Sequence, residues 1–183
     1  MKGLTLPRRQ RGISLVVVLL FLVIMMGLGT TAIRTATIEE KLSGNERDQQ
    51  IAFEAAEAAL RDGERYVRSA LSASSGFSFG CTNGLCIPSN TGTAQWNTID
   101  WGGAIPRAYG SVTGIGSYPD TTVSRAPRFI IELLPNMPPG AGSSLGLSSR
   151  QTFGQGTPFR VTAVGWGRRQ STLVMLQSVY VKQ

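Results

Sequence analysis

The sequence predicts an α+β fold in which one long N-terminal helix, transmembrane in its first half, packs on a C-terminal antiparallel β-sheet. Three observations predict it. Ile13 to Ile33 are twenty-one consecutive residues without a charge. Residues 34–71 contain no proline and are dominated by Ala, Glu, Arg and Leu, which are strong helix formers. From Ser72 the composition turns to Gly, Ser, Thr, Asn and Pro, and β-branched runs follow. The chain thus divides into a leader (1–12), the membrane half of the helix (13–33), its amphipathic half (34–71) and a β-rich head (72–183).

At ~1.5 Å per residue the uncharged run is roughly 31 Å long as a helix, about the hydrocarbon thickness of a bilayer. A helix is the one conformation in which a lone segment satisfies its own backbone polar groups in lipid. Lys2, Arg8, Arg9 and Arg11 precede the run. Basic residues on this short flank predict a cytoplasmic N-terminus and place everything after Ile33 across the membrane. A cleavable secretory signal would have a shorter apolar core, about 7–15 residues, ending in a small-residue cleavage site. Here the run is longer and continues without a turn signal into a helical pattern.

The junction itself reads Gln10-Arg11-Gly12-Ile13-Ser14-Leu15-Val16-Val17. It resembles the class III signal of type IV prepilins. The resemblance implies that a membrane peptidase, the prepilin peptidase, cuts after Gly12 on the cytoplasmic side and N-methylates the new first residue, Ile13. Glycine suits such a site because a Cβ would obstruct close approach to the protease backbone. The alternative is an ordinary signal anchor with a fortuitous glycine.

In residues 34–71, positions plotted at ~100° each collect Ile38, Leu42, Ala52, Phe53, Ala56, Ala59, Leu60, Val67, Ala70 and Leu71 on one stripe, with Asn45 and Gln49 among them. Glu39, Arg47, Glu54, Glu57, Arg61, Glu64, Arg65 and Arg68 fall opposite. Glu57–Arg61 and Glu64–Arg68 have the favourable order for i,i+4 pairs, each worth about 0.2–0.5 kcal/mol. Such a helix gains most of its stability from packing, so the outer half of the stripe is expected against the head. Gly27, Gly29 and Gly44 are places for the helix to bend or for a neighbouring helix to approach closely.

Leu42-Ser43-Gly44-Asn45 followed by Ala52-Phe53-Glu54-Ala55-Ala56-Glu57-Ala58-Ala59-Leu60-Arg61 narrows the resemblance. The stretch is similar to the N-terminal region of PilX-type minor pilins, and the likeness covers about residues 8–65. It implies a type IV pilin-like fold. Most type IV pilins carry a glutamate at the fifth mature position, and here that position is Val17. A carboxylate in the bilayer is costly without a partner; in major pilins the expected partner is the N-terminal amine of the adjacent subunit. PilX-type minor pilins share its absence, which implies a place at the pilus tip.

In the head, Cys81 and Cys86 flank Thr82-Asn83-Gly84-Leu85, and Asn-Gly is a strong turn signal. Two cysteines outside the cytoplasm with a turn between them suit a small disulfide loop. A metal site would need further Cys or His ligands, and the spacing is not that of a redox C-x-x-C. Whether the pair is bonded in the cell stays open. Strands are expected at Arg128–Leu134, Phe159–Val164 and Thr172–Val181, with Gly165–Gln170 joining the last two as a hairpin. Asn136–Pro158 and much of Gly102–Tyr118 read as loops. The closing Leu176-Gln177-Ser178-Val179-Tyr180 also resembles the PilX C-terminal region. Trp96, Trp101 and Trp166 read as packing residues rather than binding anchors.

Charge and composition narrow the function. The net charge is +7, of which four charges sit in the leader, leaving +3 after Gly12. The head carries eight basic and three acidic residues, a weak attraction for acidic partners that makes nucleic acid an unlikely one. Histidine is absent, which removes the commonest general base and metal ligand. Asp100, Asp120 and Glu132 are the acids of the head, and none has a companion motif. No catalytic residue, cofactor or metal is expected.

The resemblance therefore implies a minor pilin. It would start as a single-pass inner-membrane precursor, join other minor pilins and the major pilin through its N-terminal helix, and help initiate pilus assembly. A place at the pilus tip with a PilY-type adhesin would link it to motility and adhesion. Two alternatives are a type II secretion pseudopilin, whose tip-located class carries a larger inserted domain, and a surface-binding pilin for DNA or a host ligand.

Overall fold

The computed structural model describes residues 13–90, 92–135 and 156–182. The chain divides into two compact units, Met1–Asn45 and Glu46–Gln183. In the first, the described residues form one helix, the beginning of α1 (Ile13–Ala70). It is long and apolar enough to cross a membrane. Its large apolar side chains from Ile13 to Leu28 are exposed, as are those of Ile38 and Leu42.

The second unit holds the rest of α1 and every strand among the described residues. These are β1 (Leu85–Cys86), β2 (Arg107–Ala108), β3 (Arg128–Leu133), β4 (Thr157–Trp166) and β5 (Leu173–Lys182), with a one-turn helix α2 (Gln95–Thr98) between β1 and β2. The sheet runs β1-β3-β4-β5, and β2 also pairs with β3. Arg128–Leu133 pairs antiparallel with Phe159–Val164, and β4 pairs antiparallel with β5 along its whole length, from Thr157↔Lys182 to Trp166↔Leu173. The three expected strands form within a few residues of their expected bounds, β4 being longer at both ends. The sheet is mixed rather than wholly antiparallel, because β1 runs parallel to β3. A two-residue strand carries no side-chain period, so its direction leaves no trace in the sequence.

Alternation along β3 and β4 sorts their side chains between two faces. Phe129, Ile131, Phe159, Val161 and Ala163 bury against Ala59, Val67 and Leu71 of the helix segment, with Leu85. On the other face, Ile130 packs with Cys81 and Cys86 under Trp96, Ile99 and Trp101.

The helix meets the sheet at very short range. Gly165 lies on the helix backbone: a Cβ there would stand 2.2 Å from the Ala52 carbonyl oxygen and 2.3 Å from the Ala56 nitrogen. One glycine further, at Gly63 of α1, a Cβ would stand 2.6 Å from Val161 Cγ1. This explains why Ala52, Ala56, Ala59, Val67 and Leu71 of the expected stripe are buried but Phe53 is not. The buried stripe is Asp48, Ala52, Ala55, Ala56, Ala59, Asp62 and Val67, whereas Phe53 and Ala70 are exposed. Alanine side chains let the two backbones approach, and the larger phenylalanine is turned out.

Candidate functional site

Of the residues singled out in the sequence, Gly12 and the basic leader lie outside the described residues. Ile13 opens α1. Val17 lies one turn later and, like Ile13, presents its side chain outward. The described part of the first unit is thus a helix whose large apolar side chains from Ile13 to Leu28 are exposed. By length and composition it suits two environments, a bilayer or the company of other helices.

The head unit is fastened to its own helix segment by two buried carboxylates that the sequence reading missed. Asp48 accepts a 2.6 Å hydrogen bond from the Arg168 backbone N–H, in the turn between β4 and β5. That turn is tight, with Gly167 N–H bonded to the Thr172 carbonyl and Thr172 N–H to that of Arg169. At Gly167 a Cβ would stand 2.6 Å from Asp48 Oδ1, so only glycine admits the carboxylate. The Thr172 side chain, with the Arg168 and Arg169 N–H groups, holds Asp48 below the usual aspartate range against the opposing effect of burial. Asp62 fastens a second loop, accepting hydrogen bonds from the Gly110 N–H at 2.7 Å and from the Thr113 hydroxyl. Their spacing was a usable signal: residues 48, 52, 55, 59 and 62 repeat at three or four, the period of one helix face.

Further from the helix, the sulfurs of Cys81 and Cys86 are bonded, with Cα atoms 4.1 Å apart. Both are buried. Asn83 and Gly84 both have positive φ, and Leu85 N–H bonds the Thr82 carbonyl, the arrangement of a type I′ turn, for which Asn-Gly is the preferred pair. The indoles close over this loop, with Trp101 Nε1 donating to the Trp96 carbonyl and Gln95 Nε2 donating to the carbonyls of Phe79 and Ile87. Arg160 completes the cover, its guanidinium 4.8 Å from the Trp96 ring centroid and 3.5 Å from Glu132 Oε2. Burial pushes the Glu132 carboxyl above the usual glutamate range, and Arg160 opposes that shift. Trp166 is buried beneath the Arg125 guanidinium.

Asp48, Asp62, Arg125 and Arg160 therefore hold loops to helix and sheet. No group of three or more His, Cys, Asp or Glu residues that could hold a metal ion is present among the described residues. What the described residues of the first unit present outward is apolar surface on α1.

Comparison with known families agrees in both halves. The family described as PilX N-terminal matches residues 11–61. The family described as type IV pilus assembly protein PilX C-term matches residues 82–182. No curated protein and no solved structure matches the chain significantly.

Proposed function

Since the chain belongs to the PilX family of type IV pilus assembly proteins, we propose that it is a minor pilin that helps initiate pilus assembly and sits at the pilus tip. Other pilus components are its partners. The observation that carries the finer reading is the exposed apolar helix over the described residues from Ile13 to Leu28, which in the sequence follows Gly12. Before assembly the helix anchors the precursor in the inner membrane, with the leader in the cytoplasm. Prepilin peptidase cuts between Gly12 and Ile13 and methylates the Ile13 amine. The same apolar surface then leaves lipid for the helices of other minor pilins and the major pilin.

Val17 supports the tip position. With an isopropyl group where a glutamate would stand, the subunit has no carboxylate to pair with the N-terminal amine of a neighbour already in the filament. A subunit without that pairing is suited to be assembled first. From the tip it would meet a PilY-type adhesin, so that motility and adhesion depend on it. N-terminal sequencing of the chain from cells with and without prepilin peptidase tests the processing step on which the rest depends.

A further inference from the structure

The disulfide loop holds its backbone in an unusual conformation. Cys81, Asn83 and Gly84 are all left-handed, with φ of 57°, 54° and 73°. A residue with a Cβ keeps that conformation only where its surroundings impose it. Here Arg107 Nε donates to the Asn83 carbonyl at 2.6 Å, and the Ile131 N–H donates to the Gly84 carbonyl at 2.8 Å. The Cys81–Cys86 bond closes the loop covalently. Arg107 also fills the space beside Gly84, where a Cβ would stand 2.9 Å from its Cγ.

This conformation controls a labile pair. No side chain shields the nitrogen of a glycine that follows asparagine, so that nitrogen can attack the asparagine Cγ and close a five-membered ring. Closure requires the Gly84 nitrogen and Cβ to lie on the same side of the Asn83 Cα–C bond. A type I′ turn gives its first central residue a ψ of about +30°, which sets the Gly84 nitrogen almost opposite Cβ. Bringing it round takes more than a right angle of rotation. That rotation would break the hydrogen bonds from Arg107 and Ile131. Asn83 itself is exposed, so water reaches the side chain and the turn alone withholds the reaction.

We propose that Asn83 is a conditional self-modification site, silent in the disulfide-bonded head and active in a chain whose Cys81 and Cys86 are still thiols. In the open chain the Gly84 nitrogen gives up its proton to water and bonds to Asn83 Cγ. The Cγ–Nδ2 bond breaks, and the side-chain nitrogen takes a proton from water and leaves as ammonia. Water then opens the cyclic imide at one of its two carbonyls. Opening at Cγ leaves aspartate. Opening at the main-chain carbonyl leaves isoaspartate, whose backbone runs through Cβ and Cγ and is one atom longer. No oxidant or reductant is consumed. Isoaspartate does not rebuild the I′ turn and turns the carbonyl that Arg107 holds into a free carboxylate, so Cys81 and Cys86 are no longer brought to 4.1 Å between Cα atoms. The loop thus sets a deadline, because the disulfide must form before the asparagine is lost. This inference goes beyond the pilus reading and does not depend on where the chain is cleaved.

The test incubates the full chain in detergent at mildly alkaline pH and follows Asn83 by peptide mapping that separates the isoaspartyl form. The native chain should lose Asn83 at least tenfold more slowly than the same chain reduced and denatured, and than the variant Cys81→Ser with Cys86→Ser. In a second arm, reduced and denatured chain is diluted into oxidising buffer either at once or after ageing. The fresh chain should regain the Cys81–Cys86 bond, and the isoaspartyl fraction of the aged chain should form it at least tenfold less. Three results would overturn the proposal. The native chain could lose Asn83 as fast as the denatured one, which would mean the turn gives no protection. The serine pair could protect Asn83 fully while β3, β4 and β5 still resist hydrogen exchange, which would mean the disulfide is not the gate. The isoaspartyl chain could close the bond as readily as the fresh one, which would remove the deadline. If the serine pair leaves the sheet open to exchange, the reoxidation arm decides alone.

Discussion

The ammonium of Lys182 sits on the end of α1, donating to the Leu71 carbonyl at 2.7 Å and to that of Val67 at 3.1 Å. The last carbonyls of a helix have no partner within it, and a cation there also complements the helix dipole. The final strand of the fold therefore caps its first element. Lys182→Met keeps the aliphatic stem and removes the donor. The expected loss is about 1–2 kcal/mol, read as a lower denaturant midpoint with an unchanged slope.

Gly165 sets the distance between helix and sheet. With Ala52 oxygen and Ala56 nitrogen as its neighbours, a methyl group would press on backbone, which cannot rotate aside. Gly165→Ala should destabilise the head by roughly 1–3 kcal/mol. Gly80 has nothing within 4 Å of a built Cβ, so Gly80→Ala should change stability by less than about 0.5 kcal/mol. Thermal unfolding of the two variants compares them directly.

These contacts show how far the sequence could be read. The three long strands were legible because β3, β4 and β5 are β-branched and aromatic runs bounded by Pro, Gly and polar residues. The I′ turn was legible from Asn83-Gly84. The phase of the helix was legible in part: Ala52, Ala56, Ala59, Val67 and Leu71 of the expected stripe are buried, but hydrophobicity favoured Phe53 over Ala55. Burial is decided instead by the approach of Gly165, which sits more than a hundred residues away in the chain. Asp48 and Asp62 were missed for a related reason. A buried carboxylate is tolerated only where donors wait for it, and those donors, backbone N–H groups with the Thr113 and Thr172 side chains, come from loops distant in the sequence.

Acid and base should act on opposite sides of the fold. Asp48 has a folded pKa below its ordinary 3.8, so the unfolded chain binds its proton first. Its contribution is present above pH 3.8 and is lost as pH falls through the folded value. Glu132 has a folded pKa above its ordinary 4.5, so the folded chain binds its proton more tightly and stability falls as pH rises from 4.5 through the folded value. Urea unfolding measured against pH should lose its acid slope in Asp48→Asn and its opposite slope above pH 4.5 in Glu132→Gln.

The disulfide is sealed. Cys81 and Cys86 are both at most 1% exposed, beneath Trp96, Ile99 and Trp101. In the native chain neither sulfur should react with a thiol reagent, and reductant should reach the bond only when denaturant opens the indole cover. Cys81→Ser with Cys86→Ser should cost about 2 kcal/mol, the loop-closure value for so short a loop. Intact mass after treatment with reductant and alkylating reagent, with and without denaturant, reads the first expectation, and the unfolding midpoint reads the second.

The central claim is that the apolar helix is a processed pilin segment, and the N-terminus of the mature chain tests it most directly. Intact mass and N-terminal sequencing of the chain purified from cells with prepilin peptidase should give an N-methylated Ile13. Cells without the peptidase should give the uncut precursor. A chain that still begins at Met1 in peptidase-positive cells would contradict the account.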